Sequence, residues 1–379
     1  MNEDIVVRGD RGGATGREIG QQPAMWRQTA AIVAEDRERL DALTDPILSR
    51  PGARVIFTGA GSSAYAGGLI CAELAHRRGV RMDAVATTDI VSNPRDVFAE
   101  DVPTLLVSFA RSGDSPESIA ATSLANQLLT VVGHLVITCN ADGALARAHA
   151  ACSGSEVLLL PPETNDAGFA MTSSFTSMAL AALLVFAPEL EAHVESLAGE
   201  AEDLLRGRLA QPAAIARRSV ERVVYLGSGC LHALAQESAL KVLELTGGRV
   251  VAISESSLGF RHGPKSILSA GTAVVCFLSN DPYTRRYDED IAAELQSIVP
   301  SDLLIRLSSR GEGLMASDSA SSALAQLPDA MAGIVLLLFA QVLALDFSLS
   351  SGVIPDNPSP SGAVNRVVRG VTIHALDAA

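Results

Sequence analysis

The segment SFARSGDSPES, residues 108–118, contains the residue types that bind a phosphate group. Ser112, Gly113 and Ser115 follow an apolar run typical of a strand. Pro116 then favours the first turn of a helix. Such a turn presents backbone N–H groups and hydroxyls to a phosphate monoester. The alternative is that Ser115 is simply the N-cap of the helix.

A second glycine-rich turn, TGAGSSAYAGG at residues 58–68, has a similar composition. A dinucleotide-binding fingerprint would need glycine at position 64, where Ala64 stands, and no acidic residue closes an obvious second strand. Ser62 and Ser63 instead add hydroxyls. This turn therefore also favours an anion over a dinucleotide.

Carboxylates and a lysine recur in QESALKVLEL, residues 236–245. Glu237, Lys241 and Glu244 are spaced so that they share one face of a helix. A carboxylate positioned in this way could act as a general base. The alternative is a solvated helix face with one ion pair.

The next segment, SSLGFRHGPKSIL at residues 256–268, places His262 between glycines and close to Arg261 and Lys265. Histidine is a common general acid or base, and an isolated loop histidine is often inert. Because His262 follows a candidate carboxylate base, we predict that it takes part in the same chemistry.

Apolar runs that precede these turns recur at a fixed offset. RVIFTGAGSS begins at Arg54 and RVVYLGSGCL at Arg222, an offset of 168 residues. TLLVSFARS from Thr104 and TAVVCFLSN from Thr272 repeat at the same offset. Short apolar runs that alternate with helical stretches predict parallel sheets covered by helices on both faces. The sequence therefore predicts two copies of one α/β unit, each a flavodoxin-like three-layer sandwich.

The two copies differ in their candidate chemistry. Cys230 and Leu231 stand where the first copy has two serines, and LSNDPYT replaces ARSGDSP. We therefore predict that the first copy binds phosphate and that the second carries the catalytic groups. In open parallel sheets, both would lie at the carboxyl ends of the strands.

Composition excludes several other classes of protein. The net charge of −14 disfavours nucleic acid and anionic membranes as partners. Five separated cysteines contain no CxxC pair, and no other metal-binding spacing is present, so we expect neither metal nor cofactor. The apolar run from Gly333 falls short of a membrane span and predicts a buried helix. Without a signal peptide, the chain is expected to be cytoplasmic.

A length of 379 residues favours two domains. The predicted division is a disordered start and leading helical segment over 1–49, a first domain over 50–207, and a second over 208–379. The apolar pattern of the tail after Pro355 predicts that it packs onto the body.

Several of these motifs together resemble the double sugar isomerase (SIS) domain proteins. The shared motifs are GAGSS, RSGDSPES, ESALKVLEL and FRHGPKS. REIGQQPAMW, PPETNDAGFAMTSSFTSM and PDNPSPSGAVNRVV are more specifically similar to the aminosugar-catabolic branch of galactosamine-6-phosphate deaminases and tagatose-6-phosphate ketose/aldose isomerases. The likeness extends from about Thr15 to His374.

The resemblance implies a role for each candidate residue. Glu244 would move a proton between C2 and C1 of the sugar, beside Lys241. His262, which the neighbouring subunit supplies in this family, would open the sugar ring. The substrate phosphate would be held by Ser62, Ser63, Arg111, Ser112 and Ser115. The sugar would be lined by Met171, Thr172, Ser173 and Ser174.

Two positions depart from the pattern of related synthases. Ala110 stands where they have a serine, so one phosphate hydroxyl is missing. Arg369 stands where they have a lysine near the C-terminus, and a guanidinium cannot act as an amine nucleophile. Arg369 could still close the site electrostatically, with His374 as an additional proton carrier.

The predicted reaction is the conversion of galactosamine 6-phosphate to tagatose 6-phosphate and ammonia. It would proceed by ring opening, C2 to C1 proton transfer and imine hydrolysis. The alternatives are tagatose-6-phosphate ketose/aldose isomerisation and glucosamine-6-phosphate deamination. A non-catalytic sugar-phosphate sensor would need a further domain, for which two SIS copies leave no room. A homodimer or homotetramer is expected, because the family shares its histidine between subunits.

Overall fold

Residues 7–207, 210–310, 323–368 and 370–377 are described by a computed structural model. Within these ranges, nine strands form two parallel sheets. The strands are β1 Arg54–Thr58, β2 Arg81–Ala84, β3 Thr104–Ala110, β4 Val132–Thr138, β5 Ser155–Leu159, β6 Arg222–Leu226, β7 Val251–Glu255, β8 Thr272–Phe277 and β9 Leu304–Leu307. Two parallel sheets flanked by helices confirm the predicted fold class.

Thirteen α-helices lie in the described ranges. They are α1 Gly13–Glu35, α2 Arg37–Leu48, α3 Ser62–Arg78, α4 Thr87–Ser92, α5 Pro94–Val97, α6 Pro116–Leu128, α7 Ala144–His149, α8 Ser173–Phe186, α9 Val194–Gly207, α10 Ala210–Ala216, α11 Cys230–Leu245, α12 Pro282–Leu295 and α13 Asp329–Ser350.

The chain groups into two compact units that are not continuous in sequence. The first-sheet unit consists of residues 25–165, 173–191 and 364–379, and the second-sheet unit consists of residues 1–24, 166–172 and 192–363. Helix α1 has residues in both. The predicted domain boundary at residue 208 comes from the repeat in the sequence. The two units come from contacts in space, so their bounds differ from the predicted domains.

The first sheet has the order β2, β1, β3, β4, β5, and all its neighbouring strands are parallel. Every residue of β1 and β3 is buried, because helices cover both faces of the sheet. Thr58, at the end of β1, pairs with Ser108 of β3. The order is that of flavodoxin-like sheets, in which ligands bind at the carboxyl ends of the first and third strands.

The second sheet repeats the first four positions of this order as β7, β6, β8, β9. Arg222, which begins β6, pairs with Thr272, just as Arg54 of β1 pairs with Thr104. The starts of β1 and β3 are therefore offset from those of β6 and β8 by the 168 residues found in the sequence. Strands β6 and β8 are buried almost throughout.

Helix α13 forms the core of the second-sheet unit. Its most apolar window has a mean hydropathy of 2.2, and it is long enough to cross a membrane, but the whole window is buried within the chain. The prediction of a buried helix is confirmed, although α13 spans 22 residues and is longer than predicted. Helix α11 packs directly against it.

The two ends of the chain differ in how they match the predictions. Residues 1–6 lie outside the described ranges, but Val7 is buried and Arg8 forms an ion pair with Asp346 at 2.6 Å. The disordered start, predicted from the sequence to extend to about residue 15, is therefore contradicted from residue 7 onward, where a short 3₁₀ turn leads into α1. At the other end, Leu376 packs against the first-sheet core and Gln127 donates to its carbonyl. The predicted packing of the tail is therefore confirmed at Leu376 only, because Val364, Val368, Val371 and Ile373 are exposed.

Candidate functional site

The loops after β1 and β3 lie at the switch point of the first sheet. Strand β1 is hydrogen-bonded to both β2 and β3, so the chain crosses to opposite sides from this point. Because parallel strands end at the same edge, the loop that contains Ser62 and the loop that contains Ser112 are neighbours. The first-sheet unit therefore brings the five predicted phosphate-binding residues to one edge.

The β1–α3 turn depends on its glycines. Gly61 has φ 56° and ψ −126°, which a residue with a side chain rarely adopts. A Cβ at Gly59 would lie 2.4 Å from the Cβ of Ser63. This close approach lets α3 begin immediately at Ser62, and both serines are buried in its first turn.

The β3–α6 turn is supported from the next loop. Asn140 donates its side-chain amide to the carbonyl of Ser112 at 2.8 Å, and Leu145 donates its N–H to the carbonyl of Gly113. Gly113 has φ 72°. Ser115 occupies the N-cap of α6, but its hydroxyl donates to the Glu117 carboxylate at 2.6 Å and makes no capping hydrogen bond. The alternative of simple capping is therefore not supported.

Arg111 is the cation of this turn. Its side chain is buried, and its Nη2 donates to the carbonyl of Arg366 in the tail at 2.9 Å. Arg366 in turn donates to the side chain of Asn165 at 3.3 Å. The tail thus holds the guanidinium at the carboxyl end of β3. Ala110 ends β3 and packs in a small apolar cluster with Val136 and Leu145.

On α11, Lys241 lies between two carboxylates. Its Nζ donates to Oε2 of Glu244 at 2.5 Å and lies 3.3 Å from Oε1 of Glu237. Lys241 and Glu237 are fully buried, whereas 25% of the Glu244 side chain is exposed. A buried ammonium is costly unless it is paired, so Lys241 needs these carboxylates and fixes the position of Glu244.

The exposure of α11 contradicts the solvated-face alternative. The helix buries Glu237 and Lys241 completely, whereas Leu243 is 37% exposed. A stable surface helix normally has the opposite arrangement, with apolar residues inside. This buried polar face is the pattern expected of a functional site, because stability alone would favour apolar residues there.

His262 ends a short 3₁₀ turn, Gly259–His262, and is exposed. The cations beside it are bound elsewhere: Arg261 donates to Glu294 of α12 at 2.8 Å, and Lys265 pairs with the same carboxylate. Both pairs hold the pKa of Glu294 below its usual value. The turn is therefore anchored to α12 while His262 faces outward.

The predicted sugar-lining residues stand on either side of a unit boundary. Met171 is half-buried and Thr172 fully buried in the second-sheet unit, and Ser173 and Ser174 are fully buried at the start of α8 in the first-sheet unit. Asp166 accepts the backbone N–H of Thr172 at 2.7 Å. This bond closes residues 166–172 into a loop.

Glu18, on α1, holds the same loop. Its Oε1 accepts the backbone N–H groups of Ala167 at 2.6 Å and Gly168 at 3.1 Å. Burial and the Asp166 carboxylate raise the pKa of Glu18 to about 7. Neither Glu18 nor Asp166 is predicted as a site residue, although both lie in motifs that carry the family resemblance. Apart from that resemblance, nothing in the sequence around Glu18 or Asp166 identifies either carboxylate as part of a site.

The remaining predicted residues are less informative. His374 is exposed in the tail. Arg369 lies outside the described residues. Among the described residues, no group of three histidine, cysteine, aspartate or glutamate side chains could hold a metal ion.

The chain is similar over most of its length to curated deaminases and to a solved isomerase. A D-galactosamine-6-phosphate deaminase AgaS from a Shewanella species is 45% identical over 363 residues, which are 95% of this chain and 91% of that protein. A Streptomyces coelicolor protein, provisionally given the same name, is 53% identical over 368 residues, 96% of each chain. The solved tagatose-6-phosphate ketose/aldose isomerase from Escherichia coli is 39% identical, covers 97% of this chain and 98% of its own, and has a TM-score of 0.86. No protein-family model matches the chain.

Proposed function

Because the chain belongs to the family of D-galactosamine-6-phosphate deaminases AgaS, which have the SIS fold, we propose that this enzyme converts galactosamine 6-phosphate to tagatose 6-phosphate and ammonia. The observation that carries this proposal is the face of α11 on which the buried Glu237 and Lys241 lie beside the partly exposed Glu244. Proton transfer next to a carbonyl group needs a positioned carboxylate, and Glu244 is held by Lys241 while remaining partly exposed.

In the proposed reaction, His262 protonates the ring oxygen and opens the hemiacetal. Glu244 removes the C2 proton to give an enolamine and returns a proton to C1. The product of this transfer is a ketose imine, which water hydrolyses to the ketose and ammonia. Lys241 lies beside the hydroxyls of the open-chain sugar and holds the Glu244 side chain in position through their ion pair.

We assign the substrate phosphate to Ser62, Ser63, Arg111, Ser112 and Ser115. Support comes from α6, whose N-terminal amides receive no side-chain cap. Amides at a helix N-terminus, adjacent hydroxyls and a buried guanidinium are the groups that bind a phosphate monoester. For Ser115 to donate to the phosphate, its hydroxyl must rotate away from Glu117.

Isomerisation of tagatose 6-phosphate without loss of ammonia is the second candidate. It is favoured by the name of the E. coli structure to which the chain is similar. Both reactions need the same C2 to C1 proton transfer, so Glu244 would act in each. The two differ in whether C2 carries an amine or a hydroxyl.

Further assignments complete the proposal. The first SIS domain, over residues 50–207, would bind phosphate, and the second, over 208–379, would carry the catalytic groups. The enzyme would be a cytoplasmic homodimer or homotetramer in which His262 serves a neighbouring subunit. The exposure of His262 on the single chain is consistent with this role.

The test is incubation with galactosamine, glucosamine and tagatose 6-phosphates while ammonia and the sugar products are followed together. We expect ammonia and tagatose 6-phosphate in equal amounts from the galacto substrate. Aldose formation from tagatose 6-phosphate without amine release would instead support the isomerase. Absence of turnover with all three would contradict both candidates.

A further inference from the structure

The turns that follow β1 and β6 share one backbone conformation. Gly61 has φ 56° and ψ −126°, and Gly229, 168 residues later, has φ 57° and ψ −129°. The preceding glycines are equally constrained, because a Cβ at Gly59 or Gly227 would lie 2.5 Å or less from the next turn. The second-sheet unit therefore keeps the backbone of the proposed phosphate turn.

In the second-sheet unit, a carboxylate of the chain itself lies at the strand ends. Asp288, on α12, is fully buried, and its Oδ1 accepts the hydroxyls of Ser228 and Ser257, each at 2.5 Å. Its Oδ2 accepts the backbone N–H of Ser279 at 3.0 Å. These three donors follow β6, β7 and β8, so they converge from three loops on one anion.

Helix α6, which follows β3, and helix α12, which follows β8, differ in whether a side chain caps their first amides. Asp281 is the N-cap of α12, and its side chain accepts the N–H groups of Tyr283 and Thr284. Ser115 is the N-cap of α6 in an almost identical conformation, with φ −65° and ψ 124° against −69° and 124°, and makes no capping bond. Of these two helices, only α12 has its first amides capped by a carboxylate of the chain, whereas the Glu117 carboxylate in the first turn of α6 accepts the Ser115 hydroxyl.

We propose that Asp288 is a resident anion. Its carboxylate fills, in the second-sheet unit, the position at the strand ends that substrate phosphate takes in the first-sheet unit. Each chain then binds one phosphate monoester although it contains two sheets of the same order. The inference uses the proposed phosphate turn as its reference, and it is independent of which sugar phosphate is the substrate.

The test removes the Asp288 carboxylate by substitution and supplies acetate or inorganic phosphate in solution. Asp288→Ala is made in a Ser112→Ala, Ser115→Ala background, which disables the proposed phosphate turn. The unfolding midpoint is measured in acetate, inorganic phosphate or chloride at equal ionic strength. We expect acetate and phosphate to raise the midpoint of the Asp288→Ala protein by several degrees, because an anion that binds only the folded state stabilises it. Asp290→Ala, an exposed carboxylate on the same helix, should show no such response.

Calorimetric titration of the wild-type enzyme with inorganic phosphate tests the proposal without a substitution in α12. We expect about one phosphate per chain, and two would overturn the resident anion. The proposal would also be overturned if the Asp288→Ala protein folds and neither acetate nor phosphate raises its unfolding midpoint. If phosphate binding instead survives Ser112→Ala, Ser115→Ala while Asp288→Ala still responds to anions, then the proposed phosphate turn is wrong and the resident anion is supported.

Discussion

At the scale of single residues, Glu244 is distinguished by its surroundings. Many helices carry a glutamate three residues after a lysine, and most such pairs are worth little because water screens them. Here the lysine is fully buried and already has a second carboxylate within 3.3 Å. Glu244 is therefore held by a fully buried cation, which suits its proposed role as a base that meets C2 of the sugar in one position.

Glu244→Gln provides the sharpest test of the proposed base. Glutamine keeps the shape but cannot accept the proton, so we expect turnover to fall by roughly a hundredfold to ten-thousandfold while substrate binding survives. The measurement is exchange of the C2 hydrogen with heavy water alongside ammonia release. A suitable control is Glu202→Gln, because Glu202 is 23% exposed and pairs with Arg206 on a surface helix. Near-normal exchange in a folded Glu244→Gln enzyme would remove Glu244 from the mechanism.

The phosphate turn allows a complementary test. Ser112→Ala with Ser115→Ala removes two donors, and each hydrogen bond to a charged group is worth about 1.5 to 3 kcal/mol. We expect KM to rise at least about a hundredfold while kcat changes much less. Ser123→Ala, on the exposed face of α6, serves as the matched control. An unchanged KM would refute the phosphate assignment.

At the scale of elements, a buried pair of histidines makes the first sheet sensitive to acid. His134 on β4 and His149 on α7 are both buried, with ring centroids 4.9 Å apart. Burial, and secondarily the nearby His149, lower the pKa of His134 from 6.5 to about 4. Burial also lowers the pKa of His149. Protonation therefore favours the unfolded chain.

The sign of the pH dependence follows from this lowered pKa. The stability associated with neutral His134 is present above pH 6.5 and is lost as the pH falls towards 4, by up to about 3 kcal/mol. His134→Phe keeps a ring and should lose less stability over this range. The measurement is the difference in unfolding midpoint between variant and wild type at pH 7.5 and pH 5. An exposed histidine, His76, provides the control as His76→Gln. Equal losses in wild type and His134→Phe would contradict this account.

At the scale of the whole molecule, the proposed sharing of His262 would make activity depend on more than one chain. His262 is exposed, whereas the residues around it are tied to α12 by Glu294. Such an anchored turn can present a side chain to a neighbouring subunit. Symmetric oligomers make this arrangement reciprocal, since each subunit would give one histidine and receive one.

Subunit exchange tests this sharing. Neither His262→Ala nor Glu244→Gln should be active alone, but equal mixtures that exchange subunits should recover about a quarter of wild-type activity, because a quarter of the sites regain both groups. The same proteins mixed without exchange are the control. If exchange is demonstrated by labelled subunits and no activity returns, each chain completes its own site.

Much of the architecture follows from local sequence. Apolar runs such as those at Arg54 and Thr104 are buried on both faces, and the 168-residue offset gives the equivalent strands of the second sheet. Glycine at positions 59 and 61 predicts a tight turn, because Gly61 has a positive φ that few other residues adopt and Gly59 leaves room for Ser63. The sequence also identifies Ser62, Ser112 and Ser115 as candidate phosphate-binding residues. It can do so because strand ends and helix starts are set by nearby residues.

Other properties depend on contacts between residues far apart in sequence. Periodicity places Glu237, Lys241 and Glu244 on one helix face, but only tertiary packing buries Glu237 and Lys241. In the same way, Asp288 meets Ser228 and Ser257 only because three strands end at one edge. The sequence by itself thus determined the elements and the candidate chemistry, because both depend on short-range spacing. The tertiary structure decided which charges are buried and which partners they have, because burial depends on elements that the chain brings together from a distance.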